Sequence, residues 1–231
     1  MIPLRDENPA EGRPFVTWVL IALNVAAFLY ELMLGPQLRG FLFEWGLVPA
    51  RLTLAASQGT EPMVVAGLPL LTSMFLHGGW MHLIGNMWYL WIFGDNVEDR
   101  LGHVGYLLMY LLAGLAGSAL HYYFNADSRI PTVGASGAIA GVLGAYLVAF
   151  PKARVVTLVP LFPFFQIMAL PAVVVLGLWF VFQFFVGALS LGYGQQTGGV
   201  AWWGHIGGFA FGFAVMALFG RRRPSRARVA E

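Results

Sequence analysis

One stretch of the chain restricts its possible folds more than any other, since no Asp, Glu, Lys or Arg occurs between Val155 and Gly220. A soluble domain needs charged side chains on its surface, so a run of this length cannot belong to an ordinary soluble core. The whole chain shows the same bias, because only 10% of its 231 residues are charged and 58% are hydrophobic. Soluble domains carry about a quarter charged residues. The sequence therefore indicates an integral membrane protein and argues against a soluble enzyme, a disordered chain or a collagen-like chain.

The absence of cysteine and the small net charge exclude further kinds of site and partner. The chain has no cysteine, which excludes disulfides, thiolate metal sites and a cysteine nucleophile. A net charge of +2 is too small to indicate a nucleic-acid partner, although the segment 221–231 holds five of the 13 basic residues. A basic cluster directly after an apolar run is typical of a cytoplasmic anchor beside the lipid bilayer. The start of the chain lacks the basic pattern of a targeting peptide, which favours a bacterial plasma membrane.

Apolar runs divide the chain into six predicted transmembrane helices, each of which needs about 20 residues to cross a bilayer. They are Phe15–Leu34, Leu71–Gly94, His103–Phe124, Ser136–Phe150, Met168–Leu189 and Ala201–Phe219. We expect an all-α fold in which the mixed stretch 37–71 forms a long first loop with short interfacial helices. Pro171 predicts a late start or a kink in the fifth helix. The predicted organisation is a short N-terminal segment (1–14), one membrane domain (15–220) and a basic tail (221–231).

The distribution of basic residues orients these helices. With the N-terminus in the cytoplasm, the inner segments hold ten Lys and Arg residues and the outer segments hold three. Inner segments are expected to carry the excess. An even number of spans therefore predicts that both termini are cytoplasmic.

Polar side chains within membrane helices are functional candidates, because their burial costs free energy. The candidates are His77, His82 and Asn86 in the second predicted helix, Ser136 in the fourth and His205 in the sixth. These three helices run from outside to inside, and each candidate lies in the first part of its helix. We therefore expect the five side chains at one depth, near the outer end of the bundle.

Glycine spacing explains how two of these helices can approach each other. The fourth predicted helix carries Gly137 and Gly141, and the sixth carries Gly204, Gly208 and Gly212, all at four-residue spacing. Stripes of small residues let two membrane helices pack with their backbones close together. Ser136 and His205 each neighbour a stripe glycine, so contact between the stripes would bring the hydroxyl and the imidazole within reach.

This arrangement predicts nucleophilic chemistry. A serine hydroxyl needs a base to take its proton, and His205 is the histidine expected closest to Ser136. A helix that begins at Ser136 leaves its first amides, including that of Gly137, free to stabilise an oxyanion. His82 and Asn86 lie four residues apart on one helix face and can add donors. We predict a Ser-His dyad.

Each of these residues also fits a purely structural role. A serine among glycines can be a packing residue, and buried histidines or asparagines can hydrogen-bond between helices. His103 and His121 fit interfacial positions near helix ends. Asp127 is the only loop acid that could orient the base, and we do not favour it.

Several motifs in these segments resemble those of the rhomboid family of intramembrane serine proteases. They are Gly134-Ala135-Ser136-Gly137, Gly204-His205-Ile206-Gly207-Gly208 with Gly212 beyond, His82-Leu83-Ile84-Gly85-Asn86 with His77 upstream, and Glu98-Asp99-Arg100. The resemblance implies a six-helix rhomboid bundle in which Ser136 is the nucleophile and His205 the base. It implies that His82 and Asn86 are oxyanion donors and that Glu98 and Arg100 are structural. His77 and Gly134 would be additional residues lining the site.

The resemblance implies hydrolysis of peptide bonds in or near transmembrane segments of other membrane proteins, without metal or cofactor. A target helix must unwind first, so we expect helix-breaking residues and a small side chain at the cleaved position. Movement of the fifth helix or of the loop Gly192–Gly199 would admit the substrate.

Two features of the sequence depart from the pattern of many family members. No Trp-Arg pair occurs between Gln37 and Leu71, and Ala140 stands where some members have a tyrosine.

Three other functions are compatible with parts of this sequence. A non-catalytic rhomboid-like protein could bind membrane helices without cutting them. A metalloprotein could use His77, His82 and His205, but the chain has no His-Glu-x-x-His motif. A small transporter would need broken helices in matching halves and charges at the midplane, and the sequence shows neither.

Overall fold

The computed structural model describes residues 1–161, 163–193 and 201–220. The predicted basic tail and most of the Gly192–Gly199 loop lie outside these ranges. Four of the described helices are long and apolar enough to cross a membrane: Phe15–Met33, Trp80–Phe124, Ala172–Ser190 and Trp202–Phe219. The protein is thus a mostly helical membrane protein, and the count of six crossings stays a prediction.

The helices follow each other in this order: α1 (Phe15–Met33), α2 (Leu38–Trp45), α3 (Pro49–Gln58), α4 (Met63–Gly67), α5 (Pro69–Thr72), α6 (Trp80–Phe124), α7 (Ser136–Ala149), α8 (Ala172–Tyr193) and α9 (Trp202–Phe219). The strands are β1 (Ile2–Asp6), β2 (Arg154–Leu161) and β3 (Phe164–Pro171). The predicted second helix is wrong at both ends. The long helix α6 begins at Trp80, after the separate short helix α5, instead of running on from Leu71, and the charged residues 95–100 continue α6 instead of ending it.

The long helix α6 consists of two segments that reverse direction at Gly102. That residue has a φ of 72°, a left-handed value that favours glycine. The tyrosine hydroxyl of Tyr106 lies beside Gly94, and it also hydrogen-bonds Thr17 in α1. In a straight helix Gly94 and Tyr106 would stand about 18 Å apart. The two halves of α6 therefore run back along each other.

The acidic end of the first half of α6 is tied to the start of α1. The Glu98 carboxylate accepts hydrogen bonds from the Val16 and Thr17 amides, each at 2.8 Å, and from the Thr17 hydroxyl at 2.7 Å. The first amides of a helix have no partner within it, so a carboxylate here caps α1 from another helix. The Arg100 guanidinium lies over the Phe150 ring, 5.8 Å from its centroid. This segment therefore joins α1, α6 and the end of α7.

The expectation of an all-α fold is wrong for residues 2–6, 154–161 and 164–171, which form a three-stranded antiparallel sheet in the order β1-β2-β3. The predicted fifth helix therefore starts too early, because Met168 belongs to β3. Residues 155–159 include three valines and a threonine, and such β-branched side chains favour extended backbone. α8 begins at Ala172, directly after Pro171, so the start is late as that proline predicts.

Helix α7 lies at the centre of the fold. All of its residues from Ala138 to Tyr146 are buried, and it packs between α6 and α9. A helix that is apolar on every side belongs inside a protein. Ser136 is thus the first residue of the most enclosed helix.

The stretch 37–71 contains α2–α5, whose position in the membrane interface stays a prediction.

Candidate functional site

The hydroxyl and the imidazole that the sequence pairs lie in direct contact. The Nε2 atom of His205 is 2.8 Å from the Ser136 Oγ, which is hydrogen-bond distance. Ser136 opens α7 and His205 lies in the first turn of α9, so two helix beginnings meet at this point. An imidazole in this position can take the hydroxyl proton.

The two glycine stripes make this contact possible. A methyl group added at Gly208 would overlap the carbonyl oxygen of Gly137, and one at Gly212 would overlap that of Gly141. Gly204 lies next to Gly137 in the same interface, where an added methyl on Gly137 would come 3.4 Å from the Gly204 carbonyl oxygen. Backbone therefore packs on backbone along the contact of α7 with α9.

The segment before Ser136 is held by hydrogen bonds to the chain that precedes α6. Leu47 and Thr132 exchange two backbone hydrogen bonds of 3.0 and 2.8 Å, and the Gly134 amide donates to the Ser73 carbonyl at 2.9 Å. Gly134 has a φ of 128°, which L-residues with side chains rarely adopt. A side chain there would also collide with His82, because an added Cβ would lie 2.7 Å from its Nε2 atom.

His82 and Asn86 present donors toward this segment. The Nδ1 atom of His82 accepts a hydrogen bond from the Gly78 amide at 3.4 Å, so in the neutral ring the proton is on Nε2. The Asn86 side chain is buried, and its Nδ2 atom has no hydrogen-bond partner in the described residues. Both side chains therefore keep an N–H group available beside Gly134.

A cavity of about 480 Å³ opens in front of Ser136. Its polar lining consists of His82, Asn86, Tyr89, Ser136, Gln183 and His205. The other lining residues are mainly apolar and come from α6, α7, α8 and the residues just before α7 and α9. This is the size and character of a ligand pocket with a few convergent polar groups.

A second, much smaller cavity of about 30 Å³ also borders Ser136. His121 and Ser118 of α6 line it together with Thr132, whose hydroxyl is 3.0 Å from the His121 Nε2. The volume suffices for a water molecule with polar partners. His121, which the sequence places at an interface, therefore belongs to the surroundings of Ser136.

Sequence reasoning missed the residues that hold the other side of His205. Its Nδ1 atom lies 2.6 Å from the Oε1 of Gln183 in α8. The rings of Trp179 and Trp202 contact the imidazole with centroid distances of 5.9 and 6.2 Å. Gln183 and Trp179 lie four residues apart in a charge-free helix, and this shared helix face was the available signal.

Other predicted residues lie outside the lining of the two cavities at Ser136. His77 precedes α6, packs its ring on His82 with a centroid distance of 5.2 Å, and lines neither cavity at Ser136. Its amide donates to the buried Glu31 carboxylate at 3.0 Å. Asp127 is exposed and also lines neither cavity. His103 pairs with Glu98, and the His103 Nδ1 lies 2.6 Å from the Glu98 Oε1.

The residues that a metal site would need do not converge in the described part of the chain. Within residues 1–161, 163–193 and 201–220, no three His, Asp or Glu side chains are grouped so that they could hold a metal ion. His77, His82 and His205, which a metalloprotein would use, thus form no such group.

Known proteins are similar to this chain over most of its length. A family model described as the Rhomboid domain matches residues 66–222. Rhomboid protease GluP of Bacillus subtilis is 32% identical over 211 residues, which are 90% of this chain and 36% of that protein. RHOMBOID-like protein 4 of Arabidopsis thaliana is 35% identical over 240 residues, 91% of this chain and 55% of that protein.

A mitochondrial relative is also similar. Rhomboid protein 1, mitochondrial, of Saccharomyces cerevisiae is 28% identical over 202 residues, 85% of this chain and 51% of that protein. The chain thus spans between about a third and just over half of the length of these relatives.

Proposed function

Because this chain belongs to the rhomboid family, we propose that it is an intramembrane serine endopeptidase with a Ser136–His205 dyad. It hydrolyses peptide bonds in or near transmembrane segments of other membrane proteins. The observation that carries the proposal is the 2.8 Å contact between the Ser136 Oγ and the His205 Nε2 at the edge of the larger cavity.

Each step of the reaction has a group in reach. The Ser136 Oγ attacks the substrate carbonyl carbon while the His205 Nε2 takes the hydroxyl proton. Imidazolium then returns this proton to the leaving amine, which leaves an acyl group on Ser136. A water molecule, deprotonated by His205, attacks the acyl carbon and releases the carboxylic acid and the free serine. The small cavity beside Ser136, with the polar side chains of Ser118, His121 and Thr132 in its lining, is a suitable place for that water.

Negative charge develops on the substrate oxygen in both halves of the reaction. The Nε2–H of His82 and the Nδ2 of Asn86 are the side-chain donors for this oxyanion, and the amide of Gly137 at the start of α7 is a backbone donor. Donors that are fixed before the reaction stabilise the transition state without reorganisation.

The cavity geometry favours an unwound substrate segment. A helical segment keeps its amides hydrogen-bonded internally, so its carbonyl groups are poor targets until the helix opens. Ala140 and Ile139 line the wall next to Ser136, which leaves room for a small side chain at the cleaved position. We therefore propose substrates with helix-breaking residues near a small residue.

The proposed membrane arrangement has six crossings with both termini in the cytoplasm. The reversal at Gly102 makes two crossings of α6, and α7 makes one although its 14 residues span only about 21 Å. A bacterial plasma membrane remains the predicted compartment, while the relatives come from both a bacterium and mitochondria. Because the chain lacks cysteine, single-cysteine variants test the proposed orientation. The cysteine of Arg129→Cys is expected to react with a thiol reagent added outside, and that of Lys152→Cys with one added inside.

Fluorophosphonate labelling of the purified protein, read by intact mass, tests the dyad without knowledge of the substrate. We expect one adduct on the parent and none on Ser136→Ala or His205→Ala. Ser118→Ala is the matched control, because this serine lines the small cavity and should be dispensable for labelling. A folded parent that takes no label would overturn the proposal and favour a non-catalytic binder of membrane helices.

A further inference from the structure

We propose that Gln183 is the positioning residue of the base: it fixes the tautomer and the orientation of the His205 imidazole. The inference rests on the proposed function and extends it to a residue of α8. Its basis is the contact of 2.6 Å between the Gln183 Oε1 and the His205 Nδ1.

The chemistry of the amide oxygen sets the tautomer. A carbonyl oxygen only accepts hydrogen bonds, so the Nδ1 of His205 carries the proton and donates a hydrogen bond to the Gln183 oxygen. The Nε2 atom of the neutral ring then has its lone pair directed at the Ser136 hydroxyl, 2.8 Å away. This is the tautomer that a general base requires. The other tautomer would present an N–H group to Ser136 and could not take its proton.

Gln183 is buried beside an imidazole that two tryptophan rings contact. Its side chain is only 6% exposed, and the Trp179 ring one turn earlier in α8 covers the imidazole. Trp202 meets the ring at an interplanar angle of 82°. Together these contacts replace the stacking tyrosine of some family members, because Ala140 has no ring to offer.

A neutral amide suits this depth better than a carboxylate. A buried carboxylate has a large desolvation cost in a membrane protein, whereas an amide accepts the same hydrogen bond without charge. No Asp or Glu among the described residues hydrogen-bonds His205. Since α8 is the predicted mobile helix, the base is set only while α8 lies against α9, where Phe180 stacks on Phe209 with a centroid distance of 4.4 Å.

Two substitutions separate positioning from packing. Gln183→Met keeps the length and loses the acceptor, whereas Gln183→Glu keeps an acceptor oxygen in either protonation state. For Gln183→Met we expect the maximal fluorophosphonate labelling rate to fall by about tenfold, the rate equivalent of one lost hydrogen bond. The half-saturating probe concentration should stay unchanged. Gln183→Glu should restore most of the rate.

The same substitution at an exposed glutamine, Gln166→Met, is the matched control and should label like the parent. Gln183→Met labelling at the parent rate would overturn the inference, and so would equal losses in the Met and Glu variants. Failure of the proposed function looks different, because then the parent takes no label or His205→Ala labels normally.

Discussion

Gly208 of α9 lies against the carbonyl oxygen of Gly137 in α7, too close for any side chain between them. Gly212 and Gly141 repeat this relationship one turn further along. The separation of the two helices is therefore set by backbone contact. Because Ser136 and His205 each flank this interface, their 2.8 Å contact depends on it.

We predict that Gly208→Ala destabilises the protein by about 1–3 kcal/mol, the usual cost of overpacking. The methyl group must push α9 away from α7, so fluorophosphonate labelling of Ser136 should fall as well. Gly177→Ala in α8 is the control, since an added methyl there meets no atom within 4 Å. Thermal unfolding in detergent and labelling rates measure both effects. Equal stability of the two variants would contradict the packing role of Gly208.

The proposed oxyanion donors give a second prediction. His82→Ala and Asn86→Ala should each lower the rate of Ser136 acylation by roughly 10²–10³, the usual effect of removing one such donor. Thermal stability should change less than in Gly208→Ala. Met81→Leu is the control, because Met81 lines the same cavity and offers no N–H donor. Acylation by both donor variants at the parent rate would show that the oxyanion is stabilised by backbone amides alone.

Much of this arrangement could be predicted from the chain itself. The rhomboid family was predicted from four short motifs, and the comparisons confirm it. The meeting of Ser136 with His205 follows from glycine spacing, because small residues at four-residue intervals define one helix face. Such local periodic signals need no knowledge of the rest of the fold.

The sheet could not be predicted in the same way. Strand β1 pairs with β2 across about 150 residues of chain, and five residues carry too little pattern to indicate this partner. An apolar run such as β2 and β3 is compatible with a buried helix as well as with a strand. The prolines and β-branched residues of 155–163 were the signal against a helix.

The four-residue spacing of Gln183 and Trp179 indicates that they share a helix face, but it does not indicate that this face meets His205. The rotation of α8 about its axis decides which of its side chains face the site. An almost wholly apolar helix gives no polar face from which to infer that rotation. The end of the predicted second helix was wrong because Asp and Glu side chains suggested solvent, whereas Glu98 is buried as a cap for α1.

The movement of α8 can be tested with a disulfide. An added Cβ at Gly187 would lie 3.4 Å from the Cβ of Trp202, close to the spacing of disulfide-bonded cysteines. We predict that the oxidised Gly187→Cys, Trp202→Cys variant reacts with a fluorophosphonate as fast as its reduced form, since both lack the Trp202 ring. It should lose most cleavage of a model transmembrane substrate, because α8 can no longer move away from α9.

Reduction of the same protein is the control for the two substitutions and should restore cleavage. The absence of native cysteine means that only this pair can form a disulfide. Cleavage at the same rate in the oxidised and reduced forms would exclude α8 as the gate at this end.

The last prediction concerns Asp6, which joins the sheet to the central helix. Its carboxylate accepts hydrogen bonds from the Tyr146 hydroxyl at 2.6 Å and from the Asn96 side chain at 3.1 Å. Burial raises the pKa of Asp6 to about 6, although the Tyr146 hydrogen bond opposes this shift. The folded protein therefore binds this proton more tightly than the unfolded chain, whose aspartate pKa is near 4.

Asp6 consequently stabilises the fold at acid pH, and this contribution is lost as the pH rises from about 4 to about 6. We expect a loss of about 1 kcal/mol, since partial exposure of the carboxyl weakens the effect. Asp6→Asn keeps an oxygen that can accept from Tyr146 and has no charge to bury, so it should remove this slope and raise stability near pH 7. Glu7→Gln, on the exposed neighbour, should keep the slope of the parent. Unfolding midpoints measured across this pH range would contradict the assignment if Asp6→Asn and the parent changed in parallel.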